Sequence, residues 1–269
     1  MLNLVPPLTY QGGKQRIADE ILNIINPSFD QPFNDLCCGS GAITIALINR
    51  NFPIQNITMV DQGPFGLFWE SVGKGTFSLN EFKYHLNQLP KDISQIQAHV
   101  KGLSKNPADQ NTIYIYLILQ ASSFGGKAIW IKDNKWQNSS FRSYWLPTAT
   151  SNRKSPVNPM MPMPETLYER VALVYDKMFG ITGICDDIRN VIPKGLVYID
   201  PPYTGTTFYG HKLNVLEYVK KLKCKCFISE GKPLSEKNWQ IAKTRLKGGI
   251  SGLRQSMNEE WLSEITTEE

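Results

Sequence analysis

Short apolar runs that end at an acid or a turn residue recur along this chain, and between them apolar residues repeat every three or four positions. The runs are Pro32–Cys38, Asn56–Asp61, Ile181–Cys185, Gly195–Ile199 and Cys224–Ser229. Their length and β-branched content predict buried strands. Helical spacing occupies Lys14–Ile25, stopped by Asn26-Pro27, and returns over Ala42–Ile48, Leu167–Met178 and Leu213–Leu222. Alternation of this kind predicts an open α/β sheet whose ligands gather at the carboxyl edge of its strands.

Between residues 75 and 178 the pattern changes. Phe82, Leu86, Leu89 and Ile93, then Ile113–Leu119 after the loop Lys105-Asn106-Pro107, predict two or more helices. Ser122–Lys127 leads into Ala128–Ile131 and a polar, aromatic run with Trp136, Asn138, Phe141, Arg142, Tyr144 and Trp145. A loop rich in proline and methionine, 151–164, returns to the main pattern. The expected organisation is one domain made of 1–74 and 179–269, interrupted by an inserted domain at 75–178. Near the end, Ser235–Arg245 reads as a short helix and 246–265 as a glycine-marked hairpin.

With 269 residues and 41% apolar content, the chain can bury a substantial core. No uncharged apolar stretch approaches the roughly 20 residues that span a bilayer, and the start lacks a signal-peptide pattern. A cytoplasmic protein without a membrane partner is expected. Five cysteines and three histidines lack zinc-site spacing, so no metal is expected and the cysteines read as small buried hydrophobes. The net charge of +5 is unevenly spread: Lys127–Lys154 holds six basic residues against one acid, interleaved with rings. That composition suits phosphate anchoring plus base-edge contact, though a hydrophobic satellite with a solvated rim would carry it too.

The candidate chemistry is concentrated at Asp200-Pro201-Pro202-Tyr203, directly after the run Gly195–Ile199. Prolines fix φ and lack an N–H, so the Asp200 carboxylate and the Pro201 carbonyl become rigid acceptors beside the Tyr203 ring. Such a cradle suits an exocyclic amine on a heteroaromatic base; in isolation the tetrapeptide could equally be a turn. Gly12-Gly13 before a helix presents backbone N–H groups, without the glycine spacing of a Walker loop. Gly39-Ser40-Gly41 lets a ligand approach the backbone, with Asp35 placed to take an ammonium. Asp61, at the end of the next run, is placed for a ribose diol or for capping the turn at Gly63-Pro64. A dinucleotide is the competing cofactor, but Thr44 stands where its third glycine would be.

Three stretches in order resemble the Dam-like, alpha-arranged DNA adenine methyltransferases: Tyr10-Gln11-Gly12-Gly13-Lys14, Phe33–Gly41, and Asp200–Tyr203. The resemblance implies a Rossmann-like α/β fold, a mixed seven-stranded sheet with helices on both faces, and a helical and hairpin target-recognition insert. It implies transfer of the methyl of S-adenosylmethionine to N6 of adenine in double-stranded DNA, with N4 of cytosine or a catalytically silent DNA-binding scaffold as alternatives. Asp200, Pro201, Pro202 and Tyr203 would be catalytic. Tyr10, Gly12, Lys14, Asp35, Cys37, Gly39, Gly41, Asp61, Asp187 and Asp200 would line the cofactor site, with Asp186 the alternative to Asp187 and a helix-capping role open to either. Lys127, Arg142, Arg153 and Arg254 would contact DNA. A cognate restriction endonuclease is compatible with this reading. Two departures stand out: Cys37 replaces an aromatic ring before the glycine loop, and Phe124-Gly125-Gly126 lacks the asparagine of the family turn.

Overall fold

The computed structural model describes residues 3–109, 111–138, 140–152, 160–203, 213–248 and 254–266, with 244–248 and 254–258 described by their backbone alone. Helix α1 (Ala18–Ile25) leads into β1 (Phe33–Leu36), α2 (Ala42–Asn49), β2 (Ile57–Val60) and α3 (Pro64–Lys74). Then come α4 (Leu79–Asn87), α5 (Ile93–Leu103), α6 (Thr112–Ser122), the strands β3 (Trp130–Lys132) and β4 (Lys135–Gln137), and α7 (Pro164–Met178). The chain then completes the main sheet with β5 (Thr182–Ile184), β6 (Leu196–Ile199), α8 (Val215–Val219), β7 (Lys225–Glu230), β8 (Asn238–Gly248) and β9 (Arg254–Thr266).

The main sheet has seven strands in the order β5-β2-β1-β6-β7-β9-β8. Neighbours from β5 to β7 pair in parallel, whereas β9 is antiparallel to both β7 and β8. From β1 the chain winds outward through β2 to β5, then crosses back to β6 on the other side of β1. The seam between β1 and β6 is therefore the topological switch point, where ligands of open α/β sheets bind. The expected mixed seven-stranded sheet, flanked by helices on both faces and accompanied by a separate hairpin, is the architecture observed.

Side-chain alternation sorts the core into two layers. Phe33, Ile57, Met59, Tyr198 and Phe227 point to one face, where α1 to α7 pack; Leu36, Val60, Val197, Ile199, Cys226 and Ile228 point to the other, under α8. The buried side chains of 75–178 share the first layer, among them Phe82, Val100, Tyr116 and Val171. Helix α6 is apolar almost all round because it lies inside this layer. The β3–β4 hairpin turns at Asp133-Asn134, both at positive φ (50° and 59°), as a two-residue primed turn requires. Among the described residues no helix is long and apolar enough to cross a membrane.

One expected element is different. In place of the short helix expected over Ser235–Arg245, residues 238–248 form β8, paired along β9 with a bulge between Gln240 and Ala242. Trp239 and Ile241 alternate toward the core, a period-2 signal that a segment of mixed polarity also allows to be read as a helix face. The expected hairpin is present, begins earlier than 246, and has its connection, 249–253, outside the described residues. Residues 204–212 lie outside them as well, as do residues 153–159 of the proline-rich return.

Candidate active site

The carboxyl ends of four parallel strands are laced together by backbone bonds: Asp200 N–H donates to Leu36 O, Cys38 N–H to Val60 O and Asp61 N–H to Ile184 O. This brings Asp35, Cys37, Asp61 and Asp200 to one edge. The glycine loop that follows β1 needs left-handed backbone, with φ of 49° at Gly39 and 72° at Gly41. A side chain at Gly39 would press on the Tyr10 ring (3.1 Å), and one at Gly41 on Trp69 (2.7 Å) and Met59 (2.9 Å). Trp69 Nε1 fastens the loop by donating to Gly39 O at 2.8 Å. Cys37 also has positive φ (58°); among the described residues the other non-glycines at positive φ are all Asn or Asp, which tolerate it. A cysteine held there is strained backbone at this carboxyl edge.

Carboxylates dominate this edge. Asp61 accepts Gly63 N–H through Oδ1 (2.7 Å) and Gly39 N–H through Oδ2 (3.0 Å), so it caps its own turn and braces the glycine loop together. Asp35, 2% exposed, accepts Thr44 Oγ1 at 2.7 Å and Thr44 N–H at 3.3 Å. Burial pushes Asp35 up to about 7 against the Thr44 bonds, with Asp200 and Asp61 adding to the rise. Burial raises Asp61 as well, opposed by the two backbone donors. The Cys37 thiol is pushed well up by burial and then by the charges of Asp61, Asp200, Asp35 and Asp187. Asp187 caps a short 3-10 turn at Ile188–Asn190 by accepting Arg189 N–H and pairs with the Arg189 guanidinium, while Asp186 accepts Asn190 Nδ2 at 2.9 Å. The capping role left open for either acid is thus present at Asp187.

A second cluster lies where β6 ends. Lys14 is 6% exposed, and its Nζ meets Asp200 Oδ1 at 2.7 Å, Gly12 O at 3.0 Å and Glu260 Oε1 at 3.5 Å. The same ammonium lies 5.0 Å from the centre of the Tyr203 ring. Burial alone would lower Lys14, but Asp200 and Glu260 outweigh it and the net direction is up. Burial raises Asp200 to about 6; Lys14 opposes the rise, whereas Glu260 and Glu230 add to it. The Tyr203 hydroxyl donates to Glu260 Oε1. Pro201 is buried, Pro202 half-buried.

Sequence reasoning missed Glu260 and Glu230. Glu230 ends the apolar strand β7 as Asp61 and Asp200 end theirs, a signal that was available. Glu260 had none: it reaches the site because β9 turns back beside β7, with Glu230 opposite Trp261.

The proposed DNA-contacting residues are scattered differently. Arg142 stacks on Phe124 at 4.0 Å, and its N–H donates to Ser122 O. Its Nε, the Tyr144 hydroxyl and His99 Nε2 are buried without a hydrogen-bond partner among the described residues. Lys127 sits in the turn tied to the segment Thr9–Gln11: Gln11 N–H donates to Gly126 O, and the buried Gln120 amide donates to Thr9 O, Gly126 O and Lys127 O. Arg153 lies outside the described residues, and Arg254 begins β9 with only its backbone described.

Asp35 should make stability pH-dependent. An acid raised from 3.8 to about 7 contributes stability that is complete below pH 4 and lost as pH rises through 7. Over that interval unfolding free energy should fall by about 1.4 kcal/mol per pH unit for this one proton. Denaturant titrations of the ligand-free protein at several pH values should show the fall, to which Asp200 and Asp61, also raised, contribute, and Asp35→Asn should lessen it by this one-proton amount; an unchanged slope in Asp35→Asn would exclude Asp35 as a contributor.

The sheet with its flanking helices is consistent with the fold of S-adenosylmethionine-dependent methyltransferases in general, and with an enzyme of that class. Compared with known proteins, the chain matches no protein-family model and no curated protein.

Proposed function

We propose that this protein is a DNA adenine methyltransferase, transferring a methyl group from S-adenosylmethionine to N6 of adenine in double-stranded DNA. The observation that carries the reading is the donor held by Asp200: a nitrogen at 2.7 Å, beside the Tyr203 ring, at the switch point of the sheet. A carboxylate and a proline carbonyl next to an aromatic face suit a flipped base presenting an N–H₂ group.

The donor set also favours a cationic cofactor. Asp35, Asp61, Asp187 and Asp200 all bear on Cys37, and the Gly39 N–H is already given to Asp61. A pyrophosphate would meet repulsion here and lose the backbone donor it needs, whereas a sulfonium and an ammonium would be attracted. Asp35 and Asp61 would hold the amino-acid and ribose ends, with Tyr10, Gly12, Lys14, Cys37, Gly39, Gly41 and Asp187 around them. Bound there, the cofactor supplies a methyl already activated as a sulfonium. Asp200 and the Pro201 carbonyl would accept the two N–H bonds of the target amine and turn its lone pair toward the methyl; Tyr203 would stack on the base. Arg142 and Lys127 would anchor the duplex, with Arg153 and Arg254 as further contacts, in a cytoplasmic setting that allows a cognate endonuclease.

The test is incubation with labelled cofactor and mixed-sequence duplex, followed by mass spectrometry of the nucleosides. N6-methyladenine is expected; N4-methylcytosine would move the assignment to cytosine. No methylated base with cofactor bound would leave a silent DNA-binding scaffold. For the insert, Lys127→Ala with Arg142→Ala should weaken duplex binding and lower the salt slope by about one for each phosphate that is no longer neutralised. Unchanged affinity and slope would move the DNA surface elsewhere, toward the basic stretch from Lys220 to Lys247.

A further inference from the structure

Lys14 holds Asp200 Oδ1, one of the two oxygens that the target amine could take, and an amine that takes this oxygen displaces the lysine charge. We propose that Glu260 is the positioning residue that receives it: as the amine takes Asp200, Lys14 swings onto Glu260, which also steadies the Tyr203 ring through its hydroxyl. This rests on the methyltransferase reading above.

The geometry favours an exchange between two carboxylates. An ammonium has three donors, and Lys14 already addresses Gly12 O at 3.0 Å, Asp200 Oδ1 at 2.7 Å and Glu260 Oε1 at 3.5 Å. A rotation of the end of the side chain shortens the third contact as the second is given up, so the buried charge is never left unpaired. Without Glu260, that move would strand an ammonium that is 6% exposed, and burying an unpaired charge is costly. Because Tyr203 donates to the same Oε1, base stacking and lysine position are read by one atom. The partner comes from β9, the strand antiparallel to the rest, which explains why a residue 60 positions beyond Asp200 belongs to the site.

Glu260→Gln separates the two duties, since an amide oxygen still accepts the Tyr203 hydroxyl but no longer offers a charge to Lys14. With mixed-sequence duplex and labelled S-adenosylmethionine, Glu260→Gln should lower kcat about 10- to 100-fold, the scale of misplacing a reacting group. Cofactor Kd should stay within about twofold, since the loss falls on the step in which the amine engages. In the Lys14→Met background the same change should cost little more, because no ammonium remains to be moved. An unchanged kcat in Glu260→Gln, or losses that multiply in the double variant, overturns the inference while leaving the methyltransferase reading intact. If Lys14→Met fails to fold, the split between kcat and cofactor Kd in Glu260→Gln decides alone. Wild-type protein that methylates no duplex overturns the reading and the inference together.

Discussion

Asp200→Asn is expected to lower methyl transfer by at least about 100-fold while cofactor affinity changes little. The amide has nearly the shape of the carboxylate but can turn a donor toward the target amine, and a misassigned donor in a closed site costs on the order of 3 kcal/mol. The structure adds a second loss. Asp200 is the nearest carboxylate to Lys14, and removing one partner of a buried pair leaves the other charge short of compensation. Gly12 O and Glu260 remain, so the folded state should weaken by less than the roughly 3 to 5 kcal/mol seen when a buried charge is wholly orphaned. Single-turnover rates, calorimetry with the cofactor and a denaturant melt separate the three effects. Transfer within tenfold of wild type in a folded Asp200→Asn protein would remove Asp200 from the acceptors of the amine.

Gly66→Ala should be the most damaging glycine-to-alanine change where a helix packs on the sheet. Gly66 lies in the first turn of α3, and a Cβ there would stand 1.9 Å from the Asp61 carbonyl oxygen and 3.0 Å from Cys185 Cα. Both obstacles are backbone at the ends of β2 and β5, so neither can rotate away. Overpacking usually costs about 1 to 3 kcal/mol, and a clash between backbones belongs at or above the top of that range. For a chain of this size that is a fall in Tm of about 6 to 12 °C. The damage should reach cofactor binding as well, because Asp61 braces Gly39. Gly102→Ala in α5 is the control: nothing lies within 4 Å, and replacing a helical glycine should stabilise by about 0.4 to 1 kcal/mol. Equal melting of Gly66→Ala and wild type would refute the close packing of α3 on these strands.

Much of the framework is legible in the sequence because it depends on local pattern. Apolar runs of five to seven residues became β1, β2, β5, β6 and β7, and the acids Asp61 and Asp200 marked the carboxyl edge. The hairpin that the resemblance implied is present, and it turns at Asp133-Asn134 as adjacent positive-φ residues allow. Ser235–Arg245 reads as a helix from sequence because a mixed-polarity segment fits either period, and only pairing with β9 chooses the strand.

What the sequence determined by itself is therefore the five parallel strands, the glycine loop and the acids Asp61 and Asp200 that follow β2 and β6, since all of these follow from residue types within a few positions of one another. Tertiary structure alone decided that Asp61 holds both Gly63 and Gly39, that Asp200 faces Lys14, and that the Tyr203 hydroxyl finds Glu260. From its sequence Tyr203 offered a ring for stacking; its hydroxyl acquired a partner only when β9 folded back beside β7. The physical reason is range: periodicity and turn chemistry act over a few residues, whereas a charge is paired by whatever the crossing of the chain brings within 4 Å, here residues separated by 186 and 246 positions.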